Sequence, residues 1–104
     1  MPKRRVKAAT RHARAKRDGI AALGGYEAQL AAQGGGCAIC GKPPTGRRLH
    51  IDHDHKTGKV RGLLCWQDNA IIGRARDDWR RLSGAGVYLC EGWQGAVAFH
   101  KFWK

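Results

Sequence analysis

His50-Ile51-Asp52-His53-Asp54-His55-Lys56-Thr57-Gly58-Lys59-Val60-Arg61-Gly62-Leu63-Leu64-Cys65 is the stretch on which the fold of this 104-residue chain turns. Residues 48 to 55 alternate enough to form a strand, Lys56 to Lys59 supply a turn, and Val60 to Cys65 make a returning strand, so a β-hairpin is expected. Its first half packs three imidazoles and two carboxylates into six residues. Such groups demand hydrogen-bond partners or a metal once they leave water. The competing reading is an exposed polar hairpin edge, and the flanking cysteines argue against it. Ordinary strand alternation would send Asp52 and His53 to opposite faces. For both to meet one substrate, the strand must end or bulge near them.

Outward from the hairpin, Asp68 to Leu82 places Ile71, Ile72, Ala75, Trp79 and Leu82 at helical spacing, with Arg74, Arg76, Arg80 and Arg81 on other faces. One helix is expected there. Upstream, Tyr26 and Leu30 lie four apart among helix-favouring residues, and Gly34 to Gly36 follow, predicting a short glycine-capped helix over 26–33. Residues 2–17 carry eight Lys and Arg among small residues and read as a basic arm, solvated when no DNA is bound. Residues 87–104 are rich in aromatic groups, and Leu89, Trp93, Val97 and His100 would share a helix face despite Gly92 and Gly95. The expected organisation is a basic arm or helix over 1–20, a core over 21–84 and an aromatic-rich segment over 85–104. That last segment would either complete the core or supply a homodimer surface.

The length suffices for one domain with a modest core. Twenty Lys and Arg against eight Asp and Glu leave a net charge of +12, which points to a polyanion and so to nucleic acid. No apolar run approaches the roughly 18 residues that span a bilayer, so no membrane is expected and the compartment is read as cytoplasmic. In a reducing compartment the cysteines suit a metal better than disulfides. Cys37-Ala38-Ile39-Cys40 and Cys65-Trp66-Gln67-Asp68 have the spacing of a two-knuckle zinc site in which one thiolate is replaced by a carboxylate. Cys90 is the alternative fourth ligand, less favoured by its distance in sequence. Such a site would clip both ends of the hairpin and rigidify a small core.

Taken together, Y-x-x-x-L-x-x-Q-x-G-G-C-x-I-C from Tyr26, H-I-D-H-D-H-x-T-G-x-V-R-G-L-L-C from His50, and Asn69 resemble the recombination endonuclease VII family of HNH nucleases of tailed bacteriophages. The resemblance covers residues 26 to about 73. It implies an α+β fold, a small ββα-metal (HNH, His-Me finger) unit beside a two-knuckle zinc site with flanking helices. It further implies Asp52 as the carboxylate ligand of a catalytic ion, His53 as general base and Asn69 as second protein ligand, with His50 and His55 in support. Asp68 departs from the family pattern, which has a fourth thiolate there.

The same residues suit phosphodiester hydrolysis on chemical grounds. The reaction needs an activated water and stabilisation of charge on the phosphate oxygens. A histidine can take the proton, and an ion held by Asp52 and Asn69 through oxygen ligands would be Mg²⁺ or Mn²⁺ rather than Zn²⁺. Asn69 near a helix N-terminus would favour an approaching phosphate, or would serve as a helix cap. Arg47, Arg48, Arg61, Arg74 and Arg76 are the expected phosphate contacts. The function expected is a DNA endonuclease acting on branched DNA such as Holliday junctions in a phage. The alternatives are a phage HNH nicking enzyme for DNA packaging, or a non-catalytic zinc module that binds DNA.

Overall fold

The computed structural model describes residues 8–102. The order of elements is α1 (Ala8–Ala22), α2 (Tyr26–Ala32), β1 (His50–His53), β2 (Val60–Leu64), α3 (Trp66–Arg74) and α4 (Trp79–Phe102). This is a small α+β fold, as expected, with one two-stranded sheet. The chain divides into two units, Met1–Asn69 and Ala70–Lys104. Among the described residues no helix is long and apolar enough to cross a membrane.

The first unit is built on the hairpin. Of the segment expected as a basic arm or helix, residues 8–17 belong to helix α1. Their alanine content accounts for the helix, since Ala favours it whatever the charge beside it. The rest of the arm, residues 2–7, lies outside the described residues. Helix α1 packs on both strands and buries Ile20. It approaches closely at Gly19, where a Cβ would stand 2.4 Å from a methyl of Val60. Helix α2 follows the expected 26–33 segment to within one residue, and Tyr26 at its start accepts the Leu49 N–H on its hydroxyl at 2.8 Å, tying the helix to the residue before β1.

The strands pair antiparallel with His50 opposite Leu64, Ile51 opposite Leu63 and Asp52 opposite Gly62; His53 then pairs with Val60. Arg61 is the extra residue of a β-bulge. The turn beyond is held by Asp54, whose carboxylate accepts the N–H groups of Lys56 at 2.7 Å and Thr57 at 3.1 Å. Those backbone donors hold its pKa below the ordinary carboxylate value. Asp54 is thus a turn residue, which accounts for one of the two carboxylates in the His50–His55 cluster.

Leu63 is fully buried, and its main chain is served by a side chain. Gln33 Oε1 accepts the Leu63 N–H at 2.8 Å, and Gln33 Nε2 donates to the Leu63 carbonyl at 3.0 Å and to that of Gly36 at 2.9 Å. The amide acts as a one-residue strand on the outer edge of β2. Replacing it strands a buried N–H, which costs about 1–3 kcal/mol. Gln33→Ala is therefore expected to lower the unfolding free energy by about that amount in denaturant titrations of the metal-loaded protein.

The second unit departs from the single helix expected over 68–82. Helix α3 ends at Arg74, and the chain turns through Arg76 and Asp77 at φ of 54° and 58°. Asp78 then starts α4, its carboxylate accepting the N–H groups of Arg80 at 3.1 Å and Arg81 at 3.3 Å. That is N-cap geometry, and apolar spacing carried across the break had masked it. Within α4, Gly92 breaks the helical backbone at φ 78° and ψ −173°, a conformation that side chains disfavour. The two halves fold against each other, Gly84 lying beside the Phe99 ring. Tyr88, Leu89, Trp93 and Phe102 remain exposed.

Candidate functional site

The first knuckle forms where α2 gives way to a tight loop. The Cys37 N–H bonds to the Lys42 carbonyl at 2.9 Å and the Gly41 N–H to the Cys37 carbonyl at 2.8 Å. Gly36 packs so closely on this loop that a Cβ would stand 2.2 Å from the Gly41 carbonyl oxygen, so only glycine fits. The second knuckle is the junction of β2 with α3. Here the Asp68 N–H points to Cys65 Sγ at 3.4 Å, as the Ile39 N–H points to Cys37 Sγ at 3.4 Å in the first. The leading turn of α3 therefore directs an N–H at sulfur. The sequence alone suggests phosphate as the partner of that helix end.

Cys37, Cys40, Cys65 and Asp68 converge, each offering one ligand atom, with all four atoms within 4.8 Å of one another. Asp68 Oδ2 lies 3.2 Å from Cys37 Sγ and 3.3 Å from Cys65 Sγ, and the sulfurs of Cys40 and Cys65 are 4.0 Å apart. This set can hold a metal ion such as zinc. Cys90 is exposed on α4 and is not in the cluster. The electrostatics are those of acids crowded together. Burial raises the Asp68 carboxyl, but the three thiols that donate to it outweigh this and hold its pKa low. Cys37 behaves similarly: burial pushes it up, and backbone N–H groups of Cys40, Cys65 and Ile39 bring it down on balance. At Cys40 the Lys42 N–H pulls the thiol down, but desolvation and its three acidic neighbours together push it up to about 11. Metal uptake at such a site is coupled to release of thiol protons.

On the hairpin, Asp52 is 9% exposed and His53 4% exposed, although they are consecutive residues of β1. The bulge between them meets the condition that the strand end or bulge there for both to turn inward. The His55 ring lies 4.7 Å from that of His53, tilted by 36°. His55 itself is exposed, as is His50 at the other end of β1. Asn69 sits in the first turn of α3, half-buried, and its N–H bonds to the Cys65 carbonyl at 2.9 Å. It is inside the helix and is not the cap. The strand places Asp52 and His53, and the helix that begins at the cluster carries Asn69.

The five arginines expected on DNA occupy different settings. Arg74 and Arg76 are exposed in the second unit. Arg48 lies with its guanidinium 3.8 Å from the centre of the Tyr26 ring, which holds it by cation–π attraction. Arg47 and Arg48 line an open cavity of about 860 Å³, together with Lys42, His50 and Trp66. Arg61 does something the sequence did not announce: Nε donates to Asp52 Oδ2 at 2.7 Å and Nη2 to Asp52 Oδ1 at 3.1 Å. The pairing of Arg61 with Asp52 and the contacts of Gln33 with Leu63 are the two features that the sequence does not announce. Gln33 had a place in the quoted pattern without a role, and only the bulge brings Arg61 to Asp52.

Comparison with known proteins gives three findings. The family model for recombination endonuclease VII matches residues 11–91. The Gene 59 protein of Mycobacterium phage D29 is 54% identical over 59 residues, 55% of this chain and 36% of that protein. The Gene 59 protein of Mycobacterium phage L5 is 56% identical over 50 residues, 43% of this chain and 29% of that protein. The chain thus spans about a third of the length of these curated relatives. No solved structure gives a significant match.

Proposed function

Since the chain belongs to the recombination endonuclease VII family, we propose that it is a metal-dependent phage DNA endonuclease with a structural zinc and a separate catalytic centre on the hairpin. The observation that carries this reading is the bulge that buries Asp52 and His53 side by side. A strand kept regular would bury one and expose the other. The succession β1, β2, α3, with Asp52 and His53 on the first strand and Asn69 on the helix, supports assignment as an HNH-type ββα unit.

Zinc is the metal that best fits three thiols and a carboxylate at this spacing. Asp68 completes the set, so Asp68→Ala is expected to weaken zinc by more than the roughly 10–100-fold that loss of an outer-shell partner costs. Asp68→Cys is expected to keep one zinc per chain. Competition with a chromophoric chelator reads both, and equal affinity for wild type and Asp68→Ala would remove Asp68 from the ligand set.

At the hairpin, Asp52 and Asn69 offer hard oxygen donors, a set that fits Mg²⁺ or Mn²⁺. Such an ion, when bound, offsets the charge that builds on the scissile phosphate. His53 takes the proton from the attacking water, imidazole being the side chain suited to proton exchange near neutral pH. His55, stacked near it, restricts the ring, and His50 borders the basic cavity where Lys42, Arg47 and Arg48 meet a DNA backbone. Arg74 and Arg76 add phosphate contacts from the second unit. The exposed Tyr88, Leu89, Trp93 and Phe102 support a homodimer surface in the segment over 85–104. A dimer presents two active sites, as cutting opposed strands of a branched substrate requires. The setting proposed is the cytoplasm of the infected bacterium. Cleavage of a four-way junction and of a matched linear duplex, each with Mg²⁺, Mn²⁺ or EDTA, tests the function. Faster, paired cuts on the junction are expected; binding without cleavage under either metal would leave a zinc-stabilised DNA-binding module.

A further inference from the structure

Asp52 is the carboxylate on which cation binding is proposed to depend, yet both of its oxygens are already engaged. The guanidinium of Arg61 grips them as a fork, at 2.7 and 3.1 Å. Bidentate Arg–carboxylate pairs are the strong, geometrically defined class of ion pair. The two partners are not equally enclosed. The Asp52 side chain is 10% exposed and that of Arg61 36%, so the guanidinium is more open to water than the carboxylate. Arg61 holds this position because it is the bulged residue: Asp52 pairs with Gly62 and His53 with Val60. The bulge that buries Asp52 beside His53 therefore also delivers a positive charge to Asp52.

That charge has two consequences. It satisfies a carboxylate that would otherwise be buried without a partner, at considerable cost. It also repels any divalent cation approaching the same oxygens. A phosphate group offers the guanidinium an equivalent bidentate partner.

We propose that Arg61 couples DNA binding to cation binding at Asp52: without DNA it occupies the carboxylate and opposes the cation, and a backbone phosphate draws it away and opens Asp52. The proposal rests on the reading of Asp52 as a cation ligand. By linkage, whatever factor DNA adds to cation affinity the cation adds to DNA affinity. The device keeps the hydrolytic ion from settling until a phosphate is present.

The test is binding, not turnover. Mn²⁺ affinity of the zinc-loaded chain is measured calorimetrically without DNA for wild type, Arg61→Gln, Arg61→Lys and Asp52→Ala, with zinc content and circular dichroism matched. Arg61→Gln is expected to bind Mn²⁺ at least about fivefold more tightly than wild type, the low end of ordinary coupling factors. Arg61→Lys, which loses the fork and keeps the charge, should fall between them, and it carries the test should Arg61→Gln fail to fold. In a His53→Ala background, a short duplex should tighten Mn²⁺ by roughly 5–150-fold when Arg61 is present and by clearly less in Arg61→Gln. Unchanged or weaker Mn²⁺ binding in both Arg61 variants overturns the proposal. Wild-type Mn²⁺ binding by Asp52→Ala instead overturns the assignment of Asp52 beneath it.

Discussion

A strong chelator added to the zinc-loaded protein is expected to abolish its cooperative thermal transition, and Cys37→Ser is expected to do the same without a chelator. The reason is the smallness of what else holds the first unit. Among the described residues its buried apolar side chains are Ile20, Cys37, Leu49, Leu63 and Leu64, and Cys37 itself belongs to the cluster that can hold a metal. The ligands join the loop after α2 to the junction of β2 and α3. Losing the metal therefore frees both ends of the hairpin together. Binding of structural zinc in zinc-finger peptides is worth about 10–16 kcal/mol, and the whole stability of a domain is only about 5–15 kcal/mol. The metal term is large enough to decide whether the unit folds. Circular dichroism melts with and without chelator read the effect. Cys90→Ser is the control, because Cys90 is exposed on α4 and should leave the melt unchanged. A chelated protein that kept a sharp transition at the same temperature would show that the cluster does not hold the fold.

His53→Ala is expected to retain zinc, fold and DNA binding while losing about 10²–10⁴-fold in cleavage rate, the range that general acid–base groups contribute. Its side chain is nearly enclosed, so truncation carries some stability cost, but it lies outside the cluster that clips the hairpin. His55→Ala should be milder, since His55 is exposed and its ring lies tilted beside that of His53. Single-turnover cleavage at saturating Mg²⁺ separates the two. Comparable losses in both would mean that the proton is shared between the rings or taken by His55.

Much of this architecture was legible because it is local. The hairpin, the helix after Gly25 and each of the C-x-x-C and C-x-x-D spacings are patterns of neighbouring residues, the longest being the hairpin from His50 to Leu64. That the strand must end or bulge near Asp52 and His53 was also legible, as a condition on the strand; the bulge at Arg61 that meets it was not. Three features escaped for identifiable reasons. For residues 8–17 the basic charge suits an arm and the alanines a helix, and composition alone does not choose between them. The apolar spacing of Ile71, Ile72, Trp79 and Leu82 ran through a break that Asp78 caps. Gln33 and Arg61 act across long or bulge-dependent separations, Gln33 reaching Leu63 thirty positions on. Contacts of that kind are tertiary, and no periodicity announces them.

The most direct test of the central claim, two sites with separate duties on one hairpin, is Mg²⁺-initiated nicking of supercoiled plasmid by zinc-loaded wild type and His53→Ala, with bound zinc quantified at the end of the reaction. Nicked circles should appear with wild type only after Mg²⁺ is added, zinc should stay at one per chain in both proteins, and His53→Ala should leave the plasmid supercoiled over the same period. Equal nicking by the two proteins, or no nicking by folded, zinc-loaded wild type with either Mg²⁺ or Mn²⁺, would contradict it.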